Sequence, residues 1–226
     1  MKRKMKMDMT KTHRITLTAI LSAIACVLML TVQIRFMPVE FLVYDPKDII
    51  IVIGGFILGP YAVIAMSLVV SFVEMFTMSA DGLVGLVMNV ISSCSFALPA
   101  AIIYKKVRTL KGAFIGLIAG WLFVTAVMIM WNYIITPIYR GFPREVIVPM
   151  LPTIFLPFNL IKYGLGAAIT MLIYKPLSLT LQKIKVISKP EKQASVKENL
   201  IIGLVLAISL AAIPVVLLIL VMQGVF

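Results

Sequence analysis

From Asn199 to Met222 the chain carries no charged residue. This run limits the possible folds severely, because about 20 apolar residues form a helix that crosses the roughly 30 Å hydrocarbon core of a bilayer. In that medium every backbone N–H and C=O must find its partner within the protein, so only helices and closed barrels span it. A continuous apolar run, unlike the alternating ten-residue segments of a barrel, specifies a helix. Similar runs recur along the chain. Apolar residues make up 62% of it and the mean hydropathy is +1.09, well above the roughly 45–50% apolar content of soluble domains. The fold class is therefore an all-α integral membrane protein.

Seven spans are expected. The first is Ile15–Ile34. The apolar stretch Asp48–Phe76 is divided by Gly59-Pro60 into two short helices, since proline cannot continue the hydrogen-bond ladder and disfavours helical geometry just before it. The fourth is Leu83–Tyr104, the fifth Lys111–Tyr139 and the sixth Ile154–Leu181. A polar linker separates these from the seventh span, in which Pro214 predicts a kink. The organisation is a basic tail over residues 1–14, a six-helix core over 15–182, a basic linker over 183–198 and an extra helix over 199–226.

The net charge of +12 could point to nucleic acid, but its placement does not. Lys2, Arg3, Lys4, Lys6, Lys11 and Arg14 precede the first span. Lys105, Lys106, Arg108 and Lys111 lie between the fourth and fifth, and six more lysines lie between Tyr174 and Asn199. The opposite side holds Arg35, Lys47, Arg140 and Arg144. This asymmetry encodes orientation and puts the amino terminus in the cytoplasm. Seven spans then leave the carboxyl terminus outside. The partner implied is the lipid bilayer, with no role for nucleic acid. The basic start could also open a cleaved signal peptide, but the apolar run continues to Ile34 without a clear cleavage site and reads as an anchor. Cys26 and Cys94 read as reduced thiols within spans, and His13, the single histidine, sits at the basic edge.

Lys162 lies inside the membrane-length run Phe155–Tyr174, where a lysine costs about 2.5–3.5 kcal/mol on insertion scales and marks a site by default. Asn159, three residues earlier, shares its helical face. Lys162 is about ten residues in from the outer end of its span, roughly 15 Å, and Asn132 about eight residues in, roughly 12 Å. Asn89 lies near the outer start of the fourth span and Glu74 near the outer end of the third. Four helices thus bring an amide, an ammonium or a carboxylate to a similar depth, flanked by Trp131, Tyr133, Phe158 and Tyr163. Aromatic walls with a few polar groups suit a flat heterocycle. The competing arrangement pairs Glu74 with Lys162 and lets the asparagines bond across helices as ordinary glue. The segment Arg35–Lys47, with Phe36, Phe41, Tyr44 and Asp45, is long for a tight hairpin and is a candidate lid. In the first span Ala19 and Ala23 have the small-xxx-small spacing that permits close helix approach. They fit either internal packing against the sixth span or a contact with another subunit.

The chain has no GxxxxGK[ST] phosphate loop, HExxH, GxSxG or Cys/His ligand set. It is not expected to be an enzyme; a membrane hydrolase or transferase using Glu74 and Lys162 would need a nucleophile or metal set that is not found. A structural membrane subunit without a ligand is the other bland alternative. An outward-facing binder with no engine of its own requires a partner or a gradient.

Four stretches carry a family resemblance: Asp45-Pro-Lys-Asp48-Ile, Phe56-Ile-Leu-Gly-Pro60, Trp131-Asn-Tyr-Ile-Ile-Thr-Pro-Ile-Tyr139 and Leu156-Pro-Phe-Asn-Leu-Ile-Lys162. In this order, across about Arg14–Leu181, the chain resembles the substrate-binding S components of energy-coupling-factor (ECF) vitamin transporters, and within them the riboflavin-specific branch. The resemblance implies a vitamin bound from outside a bacterial plasma membrane. It also implies association with a membrane-embedded coupling (T) subunit and two cytoplasmic ATPase subunits, with riboflavin as transported ligand and no cofactor. By the same resemblance Asn132, Asn159 and Lys162 would hold the flavin, with Asn89, Glu74 and the loop residues Phe41, Tyr44 and Asp45 as further candidates. Ala19 and Ala23 would meet the coupling subunit. A different vitamin or heterocycle remains the alternative substrate. The seventh span is a departure from the six-helix family core, and its role is open between packing on the bundle, contact with the coupling protein and anchoring.

Overall fold

The computed structural model describes residues 10–35, 42–78, 81–183 and 196–223. The helices are α1 (Lys11–Thr31), α2 (Lys47–Leu58), α3 (Pro60–Thr77), α4 (Gly82–Lys106), α5 (Leu110–Ile134), α6 (Thr136–Arg140), α7 (Arg144–Met150), α8 (Leu156–Lys183) and α9 (Val196–Met222). A π-helical turn, Leu151–Phe155, joins α7 to α8. A short antiparallel ribbon pairs β1 (Ile34–Arg35) with β2 (Val43–Tyr44). Among the described residues six helical stretches are long and apolar enough to cross a membrane, and α9 is one of them. Isoleucines, leucines and phenylalanines such as Ile20, Phe72, Leu122 and Ile208 face outward. In a multi-pass membrane protein this is the surface that meets lipid.

The ends of the helices follow local chemistry. Thr10 caps α1 by accepting from the His13 N–H, and Thr109 caps α5 by accepting from Gly112. The expected break between the second and third spans falls at Gly59, whose φ of 96° suits glycine, and Pro60 then opens α3. The guanidinium of Arg14 donates to the Leu58 carbonyl at 2.7 Å, satisfying an orphan acceptor at the end of α2.

The helix α2 controls the architecture. Twelve residues make a helix only about 18 Å long, against a hydrocarbon core of about 30 Å. Its carboxyl end lies beside the start of α1 through Arg14, so its amino end stops part-way across the bundle. The polar residues that lead into it therefore lie inside the protein.

Three spans differ most from expectation. The first helix starts earlier and ends at Thr31, with Ile34 given to the ribbon. The fifth span does not run to Tyr139: it ends at Ile134, and a separate turn of helix, α6, follows with Pro137 near its start. The sixth begins as far back as Arg144, and the widened turn accommodates the missing N–H groups near Pro149 and Pro152. Residues 184–195 of the expected linker fall outside the described residues, as does most of the basic tail, and α9 takes in the linker's last three residues.

The core is built by close approach. At Gly120 of α5 a Cβ would stand 2.1 Å from the Phe96 carbonyl oxygen of α4. At Gly164 of α8 it would stand 2.4 Å from Pro214 Cγ of α9 and 2.8 Å from Trp121 Cζ2 of α5. The extra helix therefore packs on the bundle. Its buried positions, Gly203, Ala207, Leu210 and Pro214, recur at spacings of four and three, a single seam laid along α8. Gly120→Ala is expected to force α4 and α5 apart and destabilise the fold by about 1–3 kcal/mol, read as a lowered thermal midpoint of the detergent-purified protein.

Candidate functional site

The polar groups that the sequence scatters over four spans converge on one cavity of about 530 Å³, within the usual range for small-molecule sites. Asn89 of α4, Asn132 of α5, Asn159 and Lys162 of α8, Glu74 of α3 and Asp45 of the strap all line it. Met88, Met128, Phe158, Tyr163 and Leu42 supply apolar wall. Gln33, Met78, Asp81, Tyr139 and Arg140 complete it at the end where α1, α3 and α6 finish and α4 begins.

The described end of the strap between α1 and α2, residues 42–46, contributes wall to this space through Leu42, Val43 and Asp45. Val43 lines the cavity, while Leu42 packs with Ile147, Phe155 and Phe158. Of the strap residues singled out in the sequence, Asp45 reaches the cavity and Tyr44 does not line it. Phe41 lies outside the described residues.

Lys162 does not pair with Glu74. Its ammonium donates to Asp45 Oδ2 at 3.0 Å and to the Val43 carbonyl at 3.2 Å. Glu74 instead accepts from Lys47, whose ammonium also stands 3.6 Å from Asp45 Oδ2 and 3.4 Å from Asn89 Oδ1. Asp45 thus lies between two ammonium groups, and its Oδ1 accepts from the Lys47 N–H at 3.3 Å. Burial works against its charge, but Lys162 and Lys47 outweigh that and hold its carboxyl below the usual carboxylate range. Asp48 is buried close by and accepts from the Ser93 hydroxyl.

Lys47 is the residue that sequence reasoning missed. Counted with the loop charges, it is in fact 1% exposed. The readable signal was its position beside Asp45 and Asp48 at the head of an apolar run too short to span by itself. Asn89 bonds across helices, accepting from Lys47, but Asn132 and Asn159 differ from the cross-helix glue considered for them. Asn132 donates to the Met128 carbonyl and Asn159 to the Phe155 carbonyl, both at 2.7 Å and both within their own helices. Each is anchored through its amide nitrogen. Thr136 donates to Asn132 Oδ1 at 2.9 Å.

Ala19 and Ala23 lie apart from the cavity, on the exposed face of α1, whereas Ser22, Ala25 and Met29 form its buried face. Among the described residues, nothing buries the small-residue pair. Cys26 and Cys94 are free thiols. Among the described residues no group of three or more His, Cys, Asp and Glu side chains is arranged to hold a metal ion.

Arranged this way, amide, ammonium and carboxylate groups beside aromatic and methionine walls can recognise a ligand. Comparison with known proteins agrees. Residues 13–174 match the family model described as "ECF transporter, substrate-specific component". The riboflavin transporter RibU of Staphylococcus aureus is 31% identical over 186 residues, covering 79% of this chain and 97% of that protein. The riboflavin transporter FmnP of Bacillus subtilis is 32% identical over 171 residues, covering 71% and 88%. A solved structure of the S component of a bacterial ECF transporter superposes with a TM-score of 0.67 at 28% identity, covering 76% of this chain and 99% of that one. The chain belongs to the family of ECF transporter substrate-specific components. It is a multi-pass membrane protein and a transporter subunit, not an enzyme.

Removal of one partner from a buried ion pair leaves an uncompensated charge, which costs about 3–5 kcal/mol. Lys47→Met is expected to destabilise the protein by that order, measured by thermal unfolding in detergent. The double variant Lys47→Met/Glu74→Leu is expected to recover part of the loss.

Proposed function

We propose that this member of the ECF substrate-specific components binds riboflavin from the outside and delivers it to an ATP-driven coupling complex. The observation that carries the reading is the meeting of three amides and one ammonium, Asn89, Asn132, Asn159 and Lys162, on a single cavity with aromatic and methionine walls. A flavin offers the matching chemistry: carbonyl and ring-nitrogen acceptors along one edge, an N–H donor between them, a flat apolar ring and a hydroxylated tail. The similarity to riboflavin transporters of two other bacteria narrows the heterocycle to this one.

The basic asymmetry of the sequence favours a cytoplasmic amino terminus. With that orientation the carboxyl end of α1, and with it Gln33 at the cavity rim, lies outside. Release inward then falls to a membrane-embedded coupling subunit and two cytoplasmic ATPases. Ala19 and Ala23, on the exposed face of α1 between Ile15, Ile20 and Ile24, form the shallow strip against which the coupling subunit's helix would lie.

Protein purified in detergent from cells grown on rich medium is expected to be yellow and to release close to one riboflavin per chain on denaturation. A colourless protein that also fails to quench the fluorescence of added riboflavin would overturn the assignment. Asn132→Ala and Asn159→Ala are each expected to weaken riboflavin binding about ten- to a hundredfold, the consequence of a lost buried hydrogen bond of about 1–3 kcal/mol. Titration of flavin fluorescence measures this, with the thermal midpoint as a check on folding.

A further inference from the structure

Among the described residues, each cation at the cavity has a carboxylate beside it. Lys162 is engaged by Asp45 and Lys47 by Glu74 and Asp45, and at the mouth Arg140 Nη2 lies 2.8 Å and 3.0 Å from the two carboxylate oxygens of Asp81. That last pair ties the start of α4 to the end of α6 across the rim. Both residues are partly exposed, whereas Asp45 and Lys47 are buried. The ammonium and guanidinium groups are thus paired before any ligand arrives.

We propose that Asp81 sets the charge selectivity of the site: held against Arg140 at the mouth, it favours an uncharged flavin over the corresponding phosphate ester. The proposal rests on the riboflavin reading above. A phosphate monoester carries about −1.5 to −2 charge at neutral pH. Moving that charge deeper, beside buried Asp45, would strip its water and set it against a carboxylate whose two ammonium partners, Lys162 and Lys47, are already engaged with it. The ester group is therefore restricted to the wet end, where it meets the Asp81 carboxylate held against Arg140 Nη2. A terminal hydroxyl suffers neither conflict, since the same pair offers it both a donor and an acceptor. Discrimination comes from the repulsive partner as much as from the attractive one.

The test compares riboflavin with its 5′-phosphate, by quenching of flavin fluorescence, for the unaltered protein, Asp81→Asn and the double variant Asp81→Asn/Arg140→Gln. The unaltered protein is expected to prefer riboflavin. Asp81→Asn, which releases Arg140 for the phosphate, is expected to shift the ratio of the two affinities toward the ester by about tenfold or more, equivalent to 1.4 kcal/mol. Arg140→Gln in that background is expected to abolish the shift. A general loss of folding lowers both affinities and leaves their ratio unchanged, and Asp81→Ser repeats the comparison if the asparagine variant does not fold. A ratio that stays within about twofold of the unaltered protein in the folded variant, or an unaltered protein that prefers the ester, overturns the proposal. An unaltered protein that binds neither flavin overturns the riboflavin reading, and this inference with it.

Discussion

Asp45, fixed between the ammonium groups of Lys162 and Lys47, is the interaction on which the rest of the site depends. Ionised groups at this depth persist only when each has a partner. Here the pairing reaches from the strap to α8 through Lys162 and to α3 through Lys47 and Glu74. Asn89 and Ser93 bring in α4. Asp45, Lys47 and Asp48 together therefore fix the head of α2 against three other helices. The shortness of α2 makes this possible. Its helix ends where the charges begin, and the space that a full-length span would have filled becomes the cavity.

Much of this was legible in the sequence, for reasons specific to membranes. Hydrocarbon leaves few places for Asn89, Asn132, Asn159 or Lys162, so their depth along the helices could be counted from the span ends. The Gly59-Pro60 break was equally readable, because a positive φ followed by a missing N–H has one local meaning. Lys47 was hidden because its burial comes from the stopping point of α2 relative to its neighbours, a tertiary fact. The partner of Glu74 was hidden for the same reason: charge and depth define the candidates, but only the packing of α2 against α3 chooses between two lysines. The face of α1 that carries Ala19 and Ala23 could not be read from spacing either, since small residues serve internal and external contacts alike. The end of α5 was a different kind of miss, for Pro137 stood in plain view inside the expected span.

The rest of the bundle is held without charge. Gly120 lets α5 approach the backbone of α4, and Gly164 gives α8 a notch into which Pro214 of α9 and the ring of Trp121 both fit. Trp121 also donates from its indole nitrogen to the Leu160 carbonyl at 3.1 Å, two residues before Lys162. The added helix is thus seated against the segment of α8 that carries the binding residues. Its one buried seam and broad exposed apolar face make it part of the wall between the bundle and lipid.

The π turn between α7 and α8 works as a phase setting. Each residue of an α-helix advances the side-chain direction by about 100° for only 1.5 Å of length. The surplus residue accommodated at Leu151–Phe155 therefore scarcely lengthens the helix, yet it decides which side of α7 faces the strap. With it, Ile147 from before the turn and Phe155 and Phe158 from its end and beyond close on the same side chain, Leu42. Loss of one residue here would leave the span as long and as apolar as before. It would also rotate Ile147 off the strap, so the cover of the cavity is encoded in the count of residues as much as in their kinds.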